Sequence, residues 1–315
     1  MTSELLAVDA VWKRYGARDA LRDVRFTLQS GEAVGYLGPN GAGKTTTLKL
    51  LAGIARPTRG SVRLRGLDPV RDRTRALRRL GALVETPAVP PYLTGADLLE
   101  YVARVKGIPA AERAHAARRA AEALDVVEHL DRPFGSLSTG LGRRMLLAST
   151  MVGDPELLLL DEPTLGLDPA ARHDLRELLC TLSRQGLTIL LSTHLIEDVE
   201  EVCGRVLFLR DGSLVGDEPV GLTSDRDSPG SARTLRLAFA SEVAPDSVAR
   251  TAGDDVEVSV DGPRRLTVRF PGGEAEQTRL LSSLIRAGLP LLTAAPPESE
   301  LARRYMERVG REGSS

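Results

Sequence analysis

The sequence predicts an α/β fold for residues 1–222, followed by a smaller α+β domain. Leu157–Leu160 and Leu187–Leu191 are almost entirely apolar, which is typical of parallel strands that are buried on both faces. A third apolar stretch, Ala33–Leu37, leads through a glycine-rich loop into a helical segment. Strands of this kind, interleaved with helices, indicate a mainly parallel sheet that is covered by helices.

Length and composition limit the possible classes of protein. A chain of 315 residues is long enough for two domains, and a hydrophobic content of 42% is ample for their cores. With 42 basic and 43 acidic residues the net charge is −1, which gives no support for nucleic acid as a partner of the whole chain. Cys180 and Cys203 lie in helical segments, so we expect small buried thiols in a reducing compartment.

The sequence also bears on location. The N-terminus has no basic region followed by an apolar stretch and a cleavage site, and no apolar run approaches the length of a membrane span. We therefore expect a cytoplasmic chain that reaches a membrane only through a partner.

Residues 5–28 alternate in the manner of two strands, with Tyr15 in the loop between them. An exposed aromatic ring ahead of a phosphate-binding loop can stack on a nucleotide base, but a lone Tyr also packs against its own sheet. The sequence alone does not distinguish between these two roles of Tyr15.

The glycine-rich loop after Ala33–Leu37 matches the pattern G-x-x-x-x-G-K-[ST] at every fixed position. Its glycines allow backbone N–H groups to converge on phosphate oxygens, and the helix that follows adds its positive N-terminal end. Lys44 is predicted to bind the β- and γ-phosphates from the surface of the site, and Thr45 to hold Mg²⁺. The predicted nucleotide-binding residues of this loop are Gly38, Pro39, Asn40, Gly41, Ala42, Gly43, Lys44, Thr45 and Thr46.

Residues 61–150 are predicted to be mainly helical after a strand at 61–65. Asp68–Arg79 has the composition of a basic helix, and a strand then ends at Glu85 before the proline-rich segment 86–92. Thr94 is the expected N-cap of the next helix.

Carboxylates follow the buried strand at 157–160. Asp161 and Glu162 emerge at its carboxyl end, where ligands of open α/β sheets bind. We predict that Asp161 binds Mg²⁺ and that Glu162 acts on the attacking water. A carboxylate pair that only caps a helix is the alternative, and the upstream glycine loop favours the catalytic reading. His194 follows the strand at 187–191, and no Cys/His spacing indicates zinc.

These residues together resemble the ATP-binding cassette ATPases, over roughly residues 4–220. The glycine loop corresponds to the Walker A motif and Asp161-Glu162 to the end of Walker B. Leu137–Leu141 resembles the signature motif, Leu165–Asp168 the D-loop, and His194 the switch histidine. The resemblance implies a P-loop NTPase core, a helical signature subdomain at about 86–150, ATP and Mg²⁺ as ligands, and ATP hydrolysis.

The resemblance also implies a homodimer. In this family two cassettes face each other head to tail, so Ser138 and Gly140 would contact the γ-phosphate bound by the opposite subunit, at the N-terminus of a helix beginning near Arg143. Asp168 would join the nucleotide-binding residues. Because the sequence holds one phosphate loop and one signature, a complete site requires a second chain.

Two departures from the family pattern are informative. Thr139 and Leu141 replace the third and fifth residues of the usual Leu-Ser-Gly-Gly-Gln signature. Glu85 stands where most members have Gln, which resembles the branch associated with export of, or immunity to, peptide antibiotics. Glu85 is therefore predicted as a second carboxylate near the γ-phosphate and as a candidate Mg²⁺ ligand.

A composition change marks the second domain. Residues 223–232 have the polar composition of a linker, and 233–315 alternate between strand and helix patterns. Asp261-Gly262 between two alternating runs predicts a hairpin. This region resembles the C-terminal extension of drug-export cassettes of the daunorubicin type, and we expect a structural or dimer-stabilising role.

The sequence thus predicts the ATPase subunit of an exporter, which drives a separately encoded membrane permease and exports a drug, an antibiotic or an antimicrobial peptide. The segment after Glu85 is expected at the permease contact. A soluble cassette protein that acts on ribosomes or DNA, and the ATPase subunit of an importer, are the alternatives.

Overall fold

The computed structural model describes residues 3–221, 232–253, 255–295 and 299–310. Its chain forms two compact units. The first holds the described residues up to Gly221 together with those from Arg304 onward, and the second holds the described residues between them. The linker predicted at 223–232 lies outside the described residues except for Ala232, which begins a strand.

A six-stranded sheet forms the centre of the first unit, in the order β5-β6-β7-β3-β8-β9. The first five strands in that order are parallel, and β9 pairs antiparallel with β8. The strands are β3 (Ala33–Leu37), β5 (Leu80–Leu83), β6 (Leu157–Asp161), β7 (Thr188–Thr193), β8 (Arg205–Arg210) and β9 (Ser213–Pro219). Every residue of β3 and β7 is buried, as continuous apolar strands require. The predicted α/β core is confirmed.

A second sheet of three antiparallel strands packs on this core, in the order β2-β1-β4. Its strands are β1 (Glu4–Tyr15), β2 (Arg18–Gln29) and β4 (Arg59–Leu64). The inward side chains of β1 and β2, such as Leu6, Leu21 and Leu28, join those of β3 and β6 in one hydrophobic core. Tyr15 is the last residue of β1 rather than part of a loop.

The helices of the first unit are α1 (Lys44–Leu51), α2 (Arg73–Ala76), α3 (Gly95–Val105), α4 (Ala110–Ala123), α5 (Thr139–Met151), α6 (Pro169–Arg184) and α7 (Ile196–Val202). Helices α3, α4 and α5 pack on one another between β5 and β6 in the chain. Thr94 caps α3 as predicted: its side chain accepts a hydrogen bond from Asp97 N, and the Asp97 carboxylate accepts one from Thr94 N.

Two helix boundaries differ from the sequence predictions. The basic helix expected at Asp68–Arg79 shrinks to α2, because Asp68 accepts from the backbone N–H groups of Val70 and Arg71 and holds a turn there. The signature helix α5 begins at Thr139, not near Arg143. Gly140 and Gly142 lower its helix propensity, but Ser138 supplies an N-cap that outweighs them.

The second unit contains a four-stranded antiparallel sheet in the order β11-β12-β10-β13. Its elements are β10 (Ala232–Phe239), α8 (Pro245–Ala252), β11 (Glu257–Gly262), β12 (Arg265–Pro271), α9 (Glu274–Arg286), β13 (Leu291–Ala295) and the start of α10 (Glu300–Val309). Alternate apolar residues, among them Leu235, Val268 and Leu284, form its own core. The hairpin predicted at Asp261-Gly262 joins β11 to β12.

The last residues of α10 belong to the first unit, where the Tyr305 ring lies 6.3 Å from that of Phe208 on β8. Arg308 Nη2 donates to Glu218 Oε1 at 2.7 Å. None of the helices in the described ranges has the length and apolar character that a membrane span requires.

Candidate nucleotide-binding site

The carboxyl ends of the parallel strands place four chain segments at one edge of the central sheet. The glycine loop follows β3, Glu162 follows β6, His194 follows β7, and Asp211 follows β8. Strand β3 lies between β7 and β8, so the chain crosses over on both of its sides. This is where ligands of open α/β sheets bind.

The glycine loop wraps closely around the start of α1. A Cβ on Gly38 would lie 2.4 Å from the carbonyl oxygen of Leu209. At Gly43 φ is +111°, and a Cβ there would lie 2.7 Å from Ala20 O. The loop therefore requires glycine at both positions. The first backbone N–H groups of α1 have no partner within the helix and can donate to an anion.

Lys44 contacts both the loop and the neighbouring strand end. Its Nζ donates to Gly38 O at 2.7 Å and lies 3.2 Å from Glu162 Oε1. The side chain is only 6% exposed. Our expectation that Lys44 lies at the surface of the site was wrong, because the loop carbonyls and Glu162 enclose the ammonium group.

Glu162 lies between two other polar groups. Its second oxygen, Oε2, is 2.9 Å from His194 Nδ1. Its backbone N–H donates to Ser192 O, and its φ is +46°. A positive φ is uncommon for a residue with a side chain, and such conformations cluster at functional sites. The side chains of Lys44, Glu162 and His194 thus form one connected polar chain.

Asp161 and Thr45 are the predicted metal ligands. Asp161 Oδ1 accepts a hydrogen bond from Ser192 Oγ, which fixes the carboxylate at the end of β6. Thr45 lines the same cleft as Lys44 and Glu162. A hydroxyl and a carboxylate, with phosphate oxygens and water completing the shell, are the donors that Mg²⁺ takes in nucleotide sites, so these residues fit that ion.

A cleft of about 580 Å³ opens in front of the glycine loop. Its lining includes Glu162, Tyr15 and seven of the nine predicted loop residues: Pro39, Asn40, Gly41, Gly43, Lys44, Thr45 and Thr46. The Tyr15 ring is 49% exposed, and Lys13 Nζ lies 4.7 Å from its centre. Tyr15 therefore presents a face to the cleft, which favours the base-stacking reading over packing against its own sheet.

Ser138, Gly140 and Asp168 do not line this cleft. Ser138 and Asp168 are the N-caps of α5 and α6: Ser138 Oγ accepts from Leu141 N, and Asp168 Oδ1 accepts from Ala171 N. Gly140 is packed so that a Cβ would lie 3.1 Å from the Cβ of Ala171. Within their own chain, Ser138 and Asp168 thus cap helices and Gly140 packs against α6. This is compatible with their assignment to the opposite subunit's site.

Glu85 does not line the cleft and instead pairs with Lys49 on α1. Its Oε1 accepts from Lys49 Nζ at 2.7 Å, and the side chain is 64% exposed. This hydrogen bond raises the pKa of Lys49. Glu85 has φ +61°, so the chain turns sharply there. Glu85 is thus paired with Lys49 of α1, whereas Glu162 reaches Lys44.

The sequence analysis missed several residues of the site. Arg18, Arg22 and Asp211 line the cleft because the first residues of β2 and the loop after β8 border it. Asp211-Gly212 after an apolar strand is a turn signal that could have identified the last of these.

Asp198 is a second residue that the sequence analysis missed. Its fully buried carboxylate accepts from Thr164 Oγ1 at 2.5 Å and from Thr193 Oγ1 at 3.3 Å. It thereby joins α7 to the end of β7 and to the segment after Glu162. Burial raises the pKa of Asp198, which the two threonine hydrogen bonds partly offset.

Arg143 links three predicted functional segments. From α5 its Nη1 donates to Thr86 Oγ1 at 2.9 Å, and its Nη2 donates to Leu165 O at 3.2 Å. The signature helix, the segment after Glu85 and the predicted D-loop are thus held by one guanidinium group.

Known proteins resemble this chain over the region that carries the site. A family model described as ABC transporter matches residues 21–165. Nod factor export ATP-binding protein I of Burkholderia lata is 41% identical over 209 residues, which are 66% of this chain and 68% of that protein. An uncharacterised ABC transporter ATP-binding protein of Bacillus subtilis is 35% identical over 216 residues, 67% of this chain and 68% of its own length.

Solved structures resemble the same region. The ATP-binding subunit of an ABC transporter is 30% identical with a TM-score of 0.61, and the match covers 69% of this chain and 90% of that one. A dimeric structure of a bacterial ABC transporter cassette is 25% identical with a TM-score of 0.62, covering 69% of this chain and 99% of the other.

Proposed function

This chain belongs to the ABC transporter family of ATP-binding proteins, and we propose that it is the ATP-hydrolysing subunit of an exporter. The direction of transport is the proposal, since ATP hydrolysis comes with the family. The observation that carries it is the set of curated relatives named as Nod factor export ATP-binding protein I, which are 36–42% identical to this chain over 209–212 residues.

In this proposal the residues around the cleft have separate roles in ATP binding and hydrolysis. The glycine loop and Lys44 bind the phosphates, and Tyr15 stacks on the base. Thr45 and Asp161 hold Mg²⁺, which when bound neutralises charge on the phosphate oxygens. For Lys44 to reach the phosphates its ammonium group leaves Gly38 O, 2.7 Å away, and Glu162 Oε1, 3.2 Å away. Phosphate binding therefore releases one oxygen of Glu162.

Glu162 is the general base in this proposal. Once Lys44 moves to the phosphates, Oε1 is free to accept a proton from the attacking water, while His194 Nδ1 keeps Oε2 in place from 2.9 Å. The positive φ of Glu162 and its backbone hydrogen bond to Ser192 fix the direction of the side chain. We also assign to His194 the sensing of the γ-phosphate, through its contact with Glu162.

Two chains are needed for a complete site. Ser138 and Gly140 at the N-terminus of α5 are assigned to the γ-phosphate of the opposite subunit, with Asp168 beside them. Their location outside their own chain's cleft supports this assignment. The dimeric cassette structure that resembles this chain supports a dimer of the same kind.

The permease would be a separate chain that also contacts the cargo. We assign the contact to the proline-rich segment after Glu85, where Tyr92 is 75% exposed, and to the following helix α3, where Tyr101 is 65% exposed. For the cargo we propose a drug, an antibiotic or an antimicrobial peptide. The resemblance of Glu85 and of residues 233–315 to cassettes of that class supports this choice.

A comparison of cells tests the direction of transport. A strain that expresses Lys44→Ala in place of the wild-type chain, at equal protein level, is expected to retain more of a labelled drug or antimicrobial peptide and to be more sensitive to it. Lower uptake in that strain would indicate an importer. A defect in ribosome profiles with unchanged drug retention would indicate a soluble cassette protein instead.

A further inference from the structure

The segment from Arg56 to Arg79 concentrates positive charge that the balance of the whole chain hides. Nine arginines against two aspartates give it a charge of +7, so the rest of the chain, with a total of −1, carries −8. The near-zero net charge is therefore the result of two opposite regions, and a local field exists where the total indicates none.

All nine arginines of the segment are exposed, whereas its two aspartates are half-buried. We call the nine residues the arginine surface: Arg56, Arg59, Arg63, Arg65, Arg71, Arg73, Arg75, Arg78 and Arg79.

Few carboxylates neutralise this surface. Arg65 and Arg79 share Glu156, and Arg71 lies 3.8 Å from Asp68. The six other arginines form no salt bridge with any residue in the described ranges, although Arg73 donates to Gly53 O. Most of the charge thus faces solvent without a salt-bridge partner among the described residues.

The arginines also lie close together. Arg63 on β4 and Arg71 before α2 line one shallow cavity of about 130 Å³. Glu156 forms salt bridges with two of these arginines, Arg65 after β4 and Arg79 after α2. The end of β4 and the residues on either side of α2 therefore contribute arginines to one basic region.

We propose that the arginine surface binds the phosphate headgroups of anionic lipids. A planar guanidinium group pairs with two phosphate oxygens at once, and clusters of four to eight basic residues are typical of proteins that bind anionic lipid. This proposal rests on the exporter function, because that function brings the chain to a bilayer.

Nucleic acid fits the same face less well. No aromatic residue occurs between Tyr36 and Tyr92, so the segment itself supplies no ring on which a base could stack. The half-buried Trp12 lies opposite Arg59 on the neighbouring strand β1. Helix α2 has four residues, too short to read a major groove, and the cavity beside it is shallow. A lipid headgroup layer needs only a flat basic face.

Sedimentation of the full-length chain with vesicles tests the proposal. Binding is expected to phosphatidylcholine vesicles that contain phosphatidylglycerol, to weaken with added salt, and to be absent with phosphatidylcholine alone. The triple variant Arg63→Ser/Arg75→Ser/Arg78→Ser removes three arginines without a salt bridge. Since each basic residue near an anionic surface contributes about fivefold, binding should fall by about a hundredfold.

A second triple variant is the matched control. Arg104→Ser/Arg184→Ser/Arg286→Ser removes the same charge from exposed positions outside the arginine surface. It should bind the anionic vesicles within about twofold of the wild type, since none of its arginines belongs to the arginine surface. Unchanged ATPase activity and unfolding temperature in both variants confirm that they are folded.

Three results would overturn the proposal: equal loss of binding in both triple variants, binding that does not depend on phosphatidylglycerol, or no binding at all. Tighter binding to duplex DNA than to the vesicles, lost in the first triple variant, would assign the surface to nucleic acid. Vesicle binding does not depend on the direction of transport, so failure of the exporter function in cells remains a separate result.

Discussion

Lys44 and Glu162 form an ion pair in the candidate site. Lys44 is 6% exposed and Glu162 18%, with 3.2 Å between Nζ and Oε1. Two charges held this far from water need each other, so removing one leaves the other desolvated. The same ion pair must open when phosphate binds, which makes it part of both the stability and the chemistry of the site.

A double-mutant cycle measures that pair. Lys44→Ala and Glu162→Ala should each lower the free energy of unfolding of nucleotide-free protein, and the double variant should lose less than the sum. We expect a coupling energy of about 1–3 kcal/mol from urea unfolding. Additive losses would show that the two charges do not interact without nucleotide.

Glu85 occupies a different environment, and its role is tested by a change to the commoner family residue. Glu85→Gln keeps a hydrogen-bond acceptor for Lys49 and removes only an exposed ion pair, which is worth about 0–1 kcal/mol. Turnover should fall by less than about tenfold, because Glu85 lies outside the cleft.

Lys49→Gln is the partner control for Glu85→Gln and should change turnover to a similar, small extent. Loss of nearly all activity in Glu85→Gln, with Lys49→Gln active, would make Glu85 a catalytic carboxylate.

Helix α3 is joined to two other elements by Lys106 at its C-terminal end. The ammonium group donates to Val152 O at 2.7 Å, after α5, and to Leu80 O at 3.2 Å, at the start of β5. No carboxylate among the described residues forms a salt bridge with it. Burial lowers the pKa of Lys106 from 10.5 to about 8.

This lowered pKa gives a pH-dependent stability with a defined sign. Between pH 8 and 10.5 the unfolded chain binds the Lys106 proton and the folded chain does not, so the free energy of unfolding should rise with pH in that window. The full contribution is on the order of 3 kcal/mol.

Lys106→Gln removes this titration and serves as the reference. The wild type should gain stability relative to Lys106→Gln as the pH rises from 8 to 10.5, measured by urea unfolding. A difference that stays constant or falls across this window would contradict the burial of the ammonium group.

Local signals allowed the sequence to predict some elements better than others. The glycine loop, the apolar run of β6 and the Thr94 cap are each set by residues next to one another, and they were found. Helix α5 was placed four residues too late because two glycines obscured its start, and Asp68 shortened α2.

Contacts between distant segments could not be predicted from the sequence. Glu85 with Lys49, Asp198 with Thr164, and Arg143 with Leu165 join residues 22 to 36 positions apart. The spacing of apolar residues along the sequence gives no information about such pairs. The position of Arg18 in the cleft could not be predicted either. Arg18 is the first residue of β2, and it reaches the site through the pairing of β1 with β2.

At the scale of the whole molecule, the C-terminal end of the chain contributes to the ATPase unit. The buried Phe208 on β8 packs against Tyr305, and Glu218 on β9 forms salt bridges with Arg304 and Arg308. The sequence predicted the last helix as part of a separate accessory domain. We now propose that its final turns also stabilise the central sheet.

Tyr305→Ala tests this stabilising role. Removing the ring uncovers Phe208, so we expect a loss of about 1–3 kcal/mol, or several degrees in the unfolding temperature. Met306→Ala, at the next and 50% exposed position, should have little effect.

A chain that ends at Ser224 should show the same loss as Tyr305→Ala or more, and should still bind Mg-ATP, because the residues that line the cleft all precede it. Equal unfolding temperatures for Tyr305→Ala and the wild type would contradict the role of α10.

We propose that two copies of this chain close on ATP and that Glu162 is the general base for its hydrolysis. Glu162→Gln keeps the shape of the side chain and removes the proton acceptor, so turnover and oligomeric state should be measured together in Mg-ATP. We predict a loss of about a hundredfold or more in turnover and a stable ATP-bound dimer. A variant that turns over ATP at the wild-type rate, or that stays monomeric with ATP bound, would contradict the account.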